Sequence, residues 1–261
     1  MIPYYQVQAF TGDPHRGNPA GVCLLQAWSE AAWMQRIATE IGLSETAFVA
    51  PRGDGAWDLR WFTPATEVDL CGHATLATAH VLVRERGLDA DRLVFHTVSG
   101  ELAVTPRDGG YELDFPSRPA RPVAAPAGLA EALGAEPVAV GEARDLIVEL
   151  ADERTVRELA PDVAAIARLE AFAVCVTARG DGDAVDFVSR FFVPKESIPE
   201  DPVTGSAHCT LVPWWAAKLG RTELVAHQVS ARGGVLRCRL AGERVRMWGQ
   251  AVTWLAGELR G

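Results

Sequence analysis

Cys71-Gly72-His73-Ala74-Thr75 and Pro202-Val203-Thr204-Gly205-Ser206 stand at an offset of 202 − 71 = 131 residues, and each opens a run of small and apolar residues. Leu76, Ala79 and Val83 follow the first at helical spacing, with Arg84 and Arg86 in the last turn and Gly87 to close it. Thr210, Trp214 and Lys218-Leu219-Gly220 close a matching helix after the second. Other pairs keep the order and nearly the offset. Arg52-Gly53-Asp54-Gly55 returns as Arg179-Gly180-Asp181-Gly182, Phe62-Thr63-Pro64 as Phe192-Val193-Pro194, and His96-Thr97-Val98-Ser99 as His227-Gln228-Val229-Ser230. Two copies are too few for a solenoid. The expectation is two similar lobes, residues 1–117 and 118–261, facing each other across a cleft, where ligand sites are favoured.

The boundary falls at Pro116-Ser117-Arg118-Pro119-Ala120-Arg121-Pro122, followed by Pro126. Prolines at this density neither continue a helix nor donate to a central ladder, so the segment reads as an extended linker. Outward from there, Ser29 is placed to cap a helix through Trp33, Ile37 and Ile41, with Gly42 closing it. Glu45–Val49 and Trp57–Phe62 read as strands, as do Arg92–Phe95, Tyr111–Phe115, Leu146–Leu150, Ala171–Thr177 and Val235–Leu240. Short strands outnumber helices in both halves. The fold class is α+β, each lobe a curved sheet around a central helix.

Composition narrows the function. Across 261 residues, 25 Lys and Arg face 34 Asp and Glu, and 48% of residues are hydrophobic. That apolar content excludes a disordered chain, and the net charge of −9 with no basic stripe argues against nucleic acid as a partner. The longest uncharged stretch beside a helix, Pro202 to Ala217, is shorter than the ~18–20 apolar residues that span a bilayer. Met1-Ile2-Pro3-Tyr4-Tyr5-Gln6 has neither a basic nor an apolar leader region, which predicts no signal peptide. Cys23, Cys71, Cys175, Cys209 and Cys238 are odd in number and widely spaced, which predicts free thiols in a reducing cytoplasm.

The two helix starts carry the chemistry. Free backbone N–H groups and the positive dipole end suit a carboxylate or phosphate, even in an acidic protein, because net charge is screened within ~8–10 Å. At these residues, Gly17-Asn18-Pro19-Ala20, Gly42-Leu43-Ser44-Glu45-Thr46-Ala47-Phe48, Cys71-Gly72-His73-Ala74-Thr75 and Asp201-Pro202-Val203-Thr204-Gly205-Ser206-Ala207 together resemble the phenazine-biosynthesis PhzF-like family. The resemblance runs from Phe10 to about Ala207, and the Gly233-Gly234 turn fits beyond it.

That resemblance implies a diaminopimelate epimerase-like fold, a homodimer, and catalysis with neither metal nor organic cofactor. It also implies isomerisation of trans-2,3-dihydro-3-hydroxyanthranilate, a proton moving from C3 to C1 before the product ketonises. Carried over by position, Glu45 is the general acid/base, and His73, Asp201 and Ser206 hold the substrate's polar groups. Gly72 and Gly205, with Thr204 beside the latter, supply contacts at the helix starts. A carboxylate that abstracts a C–H proton works best with its pKa raised towards neutrality, which desolvation achieves.

One departure bears on reaction type. Racemases of this fold use a cysteine at each helix start, and here Cys71 is matched by Pro202, which accepts no proton. A one-base shift is therefore favoured. Epimerisation of a small amino or hydroxy acid, with Glu45 or Asp201 acting against Cys71, stays as an alternative. So does a small-molecule binding protein without catalysis. Cys71, His73, His208 and Cys209 match no standard zinc spacing. Cys71 reads as a small buried hydrophobe and Asn18 as a turn residue.

Overall fold

The computed structural model describes residues 1–196 and 198–260. The chain begins β1 (Ile2–Ala9), β2 (Asn18–Leu24), α1 (Ala31–Ile41), β3 (Glu45–Pro51), β4 (Trp57–Phe62), β5 (Glu67–Val68) and α2 (Gly72–His80). A wider π turn over Val81–Glu85 extends α2, before β6 (Leu93–Thr97), β7 (Gly100–Arg107) and β8 (Gly110–Pro116). Next come β9 (Arg121–Pro122), α3 (Leu129–Leu133), β10 (Ala139–Glu142), β11 (Leu146–Glu149), α4 (Glu153–Glu158) and α5 (Val163–Arg168). The remainder is β12 (Val174–Arg179), β13 (Phe187–Val193), β14 (Ile198–Asp201), α6 (Gly205–Leu219), β15 (Glu223–Gln228), β16 (Gly234–Ala241), β17 (Arg244–Gly249) and β18 (Ala251–Leu259).

These elements gather into two compact units, Met1–Asp114 with Trp248–Gly261, and Phe115–Met247. In the first, β1 pairs antiparallel with β2, and β2 runs parallel to β3 after the α1 crossover. A hairpin joins β3 to β4, β5 folds back on β4, and β4 runs parallel to β6 after α2. The second unit repeats the order. An antiparallel β10–β11 pair leads to a parallel β11–β12, a β12–β13 hairpin, β14 on β13, and β13 parallel to β15 after α6. The short sequence matches thus belong to a repeated topology.

Each unit is a mixed sheet with its second crossover helix inside. All nine residues of α2 are buried, and the helix packs against β1, β2, β3, β7 and β18. A helix enclosed on every side has no amphipathic face, which is why small residues and Leu76 replace a polar stripe. Its hydroxyls are satisfied locally, Thr75 and Thr78 donating to the carbonyls of Cys71 and Ala74. Within the second unit, α6 carries Pro213, whose missing N–H leaves the Cys209 carbonyl without its helical donor. The Arg118 N–H supplies the bond instead, at 2.8 Å.

Three sequence expectations change. Glu30, not Ser29, is the N-cap of α1, and it makes no side-chain bond; the helix is held by its buried Met34 and Ala38 and by left-handed Gly42. The proline-rich segment is tied down, because β9 pairs with β10 and Ser117 donates to the Glu243 carbonyl. The last strand belongs with the first unit rather than completing a consecutive 118–261 lobe. The reason is pairing: β18 runs antiparallel along the whole of β1. Among the described residues, no helix is long and apolar enough to cross a membrane.

Candidate active site

Gly17 turns the chain into β2 with φ of +72°, and a Cβ there would meet the Ala9 carbonyl oxygen at 2.3 Å. Only glycine fits both conditions. The turn delivers Asn18, fully buried, to the start of β2. Parallel pairing then sets Ala20 opposite Glu45, the first residue of β3. Cys71 is the N-cap of α2, extended and without a side-chain cap bond, and His73 follows in the first turn.

These residues form one cluster. Glu45 Oε2 lies 3.1 Å from His73 Nε2, the histidine side chain 4% exposed and the carboxylate 16%. The contact is an ion-pair distance without hydrogen-bond alignment, and this buried oxygen has no other partner. Asn18 Nδ2 donates to His73 Nδ1 at 3.1 Å, and Ser44 Oγ donates to Asn18 Oδ1 at 3.2 Å. Cys71 Sγ lies 3.5 Å from Nδ1 and 4.0 Å from Nε2.

Electrostatics assign the protons. Burial, helped by the charge of Glu45, raises the Cys71 pKa and keeps the group a neutral thiol. For His73, burial alone favours the neutral ring, but the neighbouring acidic groups outweigh it and hold the pKa well above its ordinary value. Of these groups the Cys71 sulfur contributes first and the Glu45 carboxylate next. As placed, the Asn18 amide suits a ring whose Nδ1 is unprotonated; an imidazolium calls for the amide turned over, Oδ1 accepting from Nδ1–H.

The corresponding helix start in the second unit is built from more groups. Asp201 ends β14, and Arg190 clamps that strand to β13 through a two-pronged bond to Glu200, at 2.7 and 2.9 Å. Thr204, the N-cap of α6, donates its hydroxyl to Asp201 Oδ2. Gln228 completes the frame: its Oε1 accepts from the Thr204 N–H and its Nε2 donates to the Asp201 carbonyl, both at 2.7 Å. Gly205 and Ser206 form the first turn, where backbone N–H groups lack helical partners. Asp201, Thr204 and Gly205 are buried, and Ser206 is half-buried.

Residue by residue, Glu45, Gly72 and His73 come together in the first unit, and Asp201, Thr204, Gly205 and Ser206 in the second. Cys71 joins the first group as a neighbour of the histidine, whereas Cys209 is a buried core residue. Asn18 is no mere turn residue, since its amide holds His73. Ser44 and Gln228 were missed; only their places, beside Glu45 and in the repeated His-x-x-Ser stretch, hint at them. A cavity of about 700 Å³ in the first unit, lined by Leu24, Trp57, Leu82 and Leu88 among others, includes none of Glu45, Cys71 or His73.

A hydroxyproline epimerase from Agrobacterium vitis shares the fold at 10% identity, with 98% of this chain and 91% of that one covered and a TM-score of 0.64. The doubled topology is that of the diaminopimelate epimerase-like fold, and relatives named as isomerases over nearly the whole chain mark an isomerase-class enzyme. Residues 7–257 match the family model described as phenazine biosynthesis-like protein, PhzC-PhzF, and the chain belongs to that family. An uncharacterized isomerase of Pseudomonas aeruginosa is 51% identical over 100% of this chain and 99% of its own. A mouse phenazine biosynthesis-like domain-containing protein is 37% identical, with 99% of each chain covered. The crystal structure of a PhzF-family protein from Enterococcus faecalis superposes with a TM-score of 0.95 at 46% identity, covering 99% of both chains.

Proposed function

We propose that this protein moves a proton within a small carboxylate-bearing substrate, such as trans-2,3-dihydro-3-hydroxyanthranilate, with Glu45 as general acid and base. The observation that carries this is the Glu45 carboxylate, whose buried Oε2 lies 3.1 Å from His73 Nε2 and makes no aligned hydrogen bond. A carboxylate oxygen with no hydrogen bond to give up is free to take a proton from carbon. In the proposed step the C3–H bond breaks towards Glu45, the electron pair shifts through the adjacent double bond, and the same carboxyl group protonates C1. His73 stabilises the charge that develops and orients the substrate. Asp201, Thr204, Gly205 and Ser206, with the backbone N–H of Gly72, hold its polar groups. The same reading takes the working form as a cytoplasmic homodimer; the five cysteines, all free and buried, suit a reducing compartment.

Epimerisation with Cys71 as the second base is the rival. Burial argues against it, because the raised thiol pKa makes a thiolate scarce at neutral pH. A time course of trans-2,3-dihydro-3-hydroxyanthranilate in deuterated water, followed by ultraviolet absorption and NMR beside Glu45→Gln, separates the two. The expected result is a rearranged product and at least a ~10²-fold loss in the variant, the low end of general-base catalysis. An untouched substrate ends the dihydrohydroxyanthranilate assignment. Exchange with loss of chirality and no rearrangement favours the epimerase.

A further inference from the structure

We propose that Glu45, Cys71 and His73 form a binding site for a borderline-soft divalent cation, Zn2+ above all, which reversibly blocks the acid–base group. The blocking consequence rests on Glu45 being the base; the binding does not. One ligand atom from each residue lies within 4.8 Å of the others, and among the described residues no other group of three His, Cys, Asp or Glu is so arranged. Donors around a tetrahedral zinc with bonds of about 2.0–2.3 Å sit roughly 3.3–3.6 Å apart. The Glu45 Oε2 to His73 Nε2 distance of 3.1 Å and the Nε2 to Cys71 Sγ distance of 4.0 Å bracket that span. Sγ lies nearer Nδ1, at 3.5 Å, so coordination beside Nε2 takes a change of the Cys71 rotamer that carries the thiol round the ring.

The donor set suits the metal. One carboxylate, one imidazole and one thiol match the ligand types of zinc sites that keep a fourth position open. The carboxylate oxygen is buried and makes no aligned hydrogen bond, so the metal replaces only its ion-pair contact with His73. On binding, the Cys71 thiol proton and the His73 Nε2 proton leave to solvent, and the remaining ring proton sits on Nδ1. Asn18, already on Nδ1 and in contact with Ser44, turns its amide to accept that proton's hydrogen bond, as second-layer groups do for metal-bound histidines. Spacing along the chain conceals the site, because Glu45 comes from a different element than Cys71 and His73.

Co2+ added to the reduced, purified protein reports the site directly. The expected result is the intense visible spectrum of a tetrahedral ion with a near-ultraviolet thiolate-to-cobalt band, both displaced by Zn2+. Cys71→Ser should abolish the thiolate band. Glu45→Gln should keep it while weakening Co2+ affinity at least about tenfold, comparable to the loss of a supporting group around a metal. A wild-type spectrum that stays that of the hydrated ion overturns the proposal, as does a spectrum unchanged in Cys71→Ser. Because this readout needs no substrate, failure of the isomerase reading leaves it unaffected. Glu45-dependent turnover beside a blank cobalt spectrum overturns the metal site alone.

Discussion

His73 receives opposing instructions about its proton. Enclosure favours a neutral ring, while the Cys71 sulfur and Glu45, at 3.1 Å, favour the cation, and the pKa lies well above 6.5. Raised in the folded state, it adds stability that is fully present below pH ~6.5 and lost as pH rises through the folded value. NMR titration of the His73 ring should therefore show it charged above neutrality, and Glu45→Gln should lower the midpoint. An unshifted midpoint in that variant would remove Glu45 as a cause. Gly17 offers a test of backbone logic at the same scale. Gly17→Ala meets both a positive φ and the Ala9 carbonyl, so it should destabilise by about 1–3 kcal/mol in urea unfolding. Glu45 and His73 were legible because their motifs are contiguous. Asn18 was misread because its partner lies 55 residues away, and local rules see only the turn.

Among the elements, α1 was readable from its apolar period, and α2 and α6 from the small residues that open them and the apolar run that follows. The short α3, α4 and α5 were not, since five or six residues hold barely more than one turn. A signal existed for two of them: Asp152 and Asp162 accept the N–H groups of Thr155 and Ala165 as side-chain caps. The two enclosed helices, α2 and α6, begin without such a cap bond. In α6 the missing support comes from Gln228, which bonds both sides of the Asp201–Thr204 turn. Gln228→Ala leaves a buried N–H and a buried carbonyl without these partners, which should cost about 1–3 kcal/mol. If Ser206 and Thr204 bind substrate as proposed, the same change should raise KM more than it lowers kcat. A stability loss with unchanged KM would confine Gln228 to the scaffold.

Over the whole molecule, the repeat was visible in the sequence because both copies keep the same turns, whereas the β1–β18 pairing was not. Its partners sit at opposite ends of the chain, and no local pattern encodes a register of that span. Buried charge acts at this same scale, through the pH dependence of global stability. Asp145 is 3% exposed with one carboxylate oxygen unbonded, and burial raises its pKa to about 6 despite the attraction of Arg144 and Arg118. A raised carboxyl favours folding fully below the unfolded value near 4, and that support is lost as pH rises through about 6. His80 and His208 act in the opposite sense. Burial lowers both to about 4, so their support is present above pH ~6.5 and lost as pH falls towards 4. Comparing Asp145→Asn with wild type isolates the first effect, since the histidines are common to both. The variant should be more stable at pH 8, by on the order of 2–3 kcal/mol, and the gain should shrink towards zero near pH 4. Urea unfolding at pH 4, 6 and 8 checks it; a gain that stays constant with pH would mean that Asp145 is ionised alike in both states.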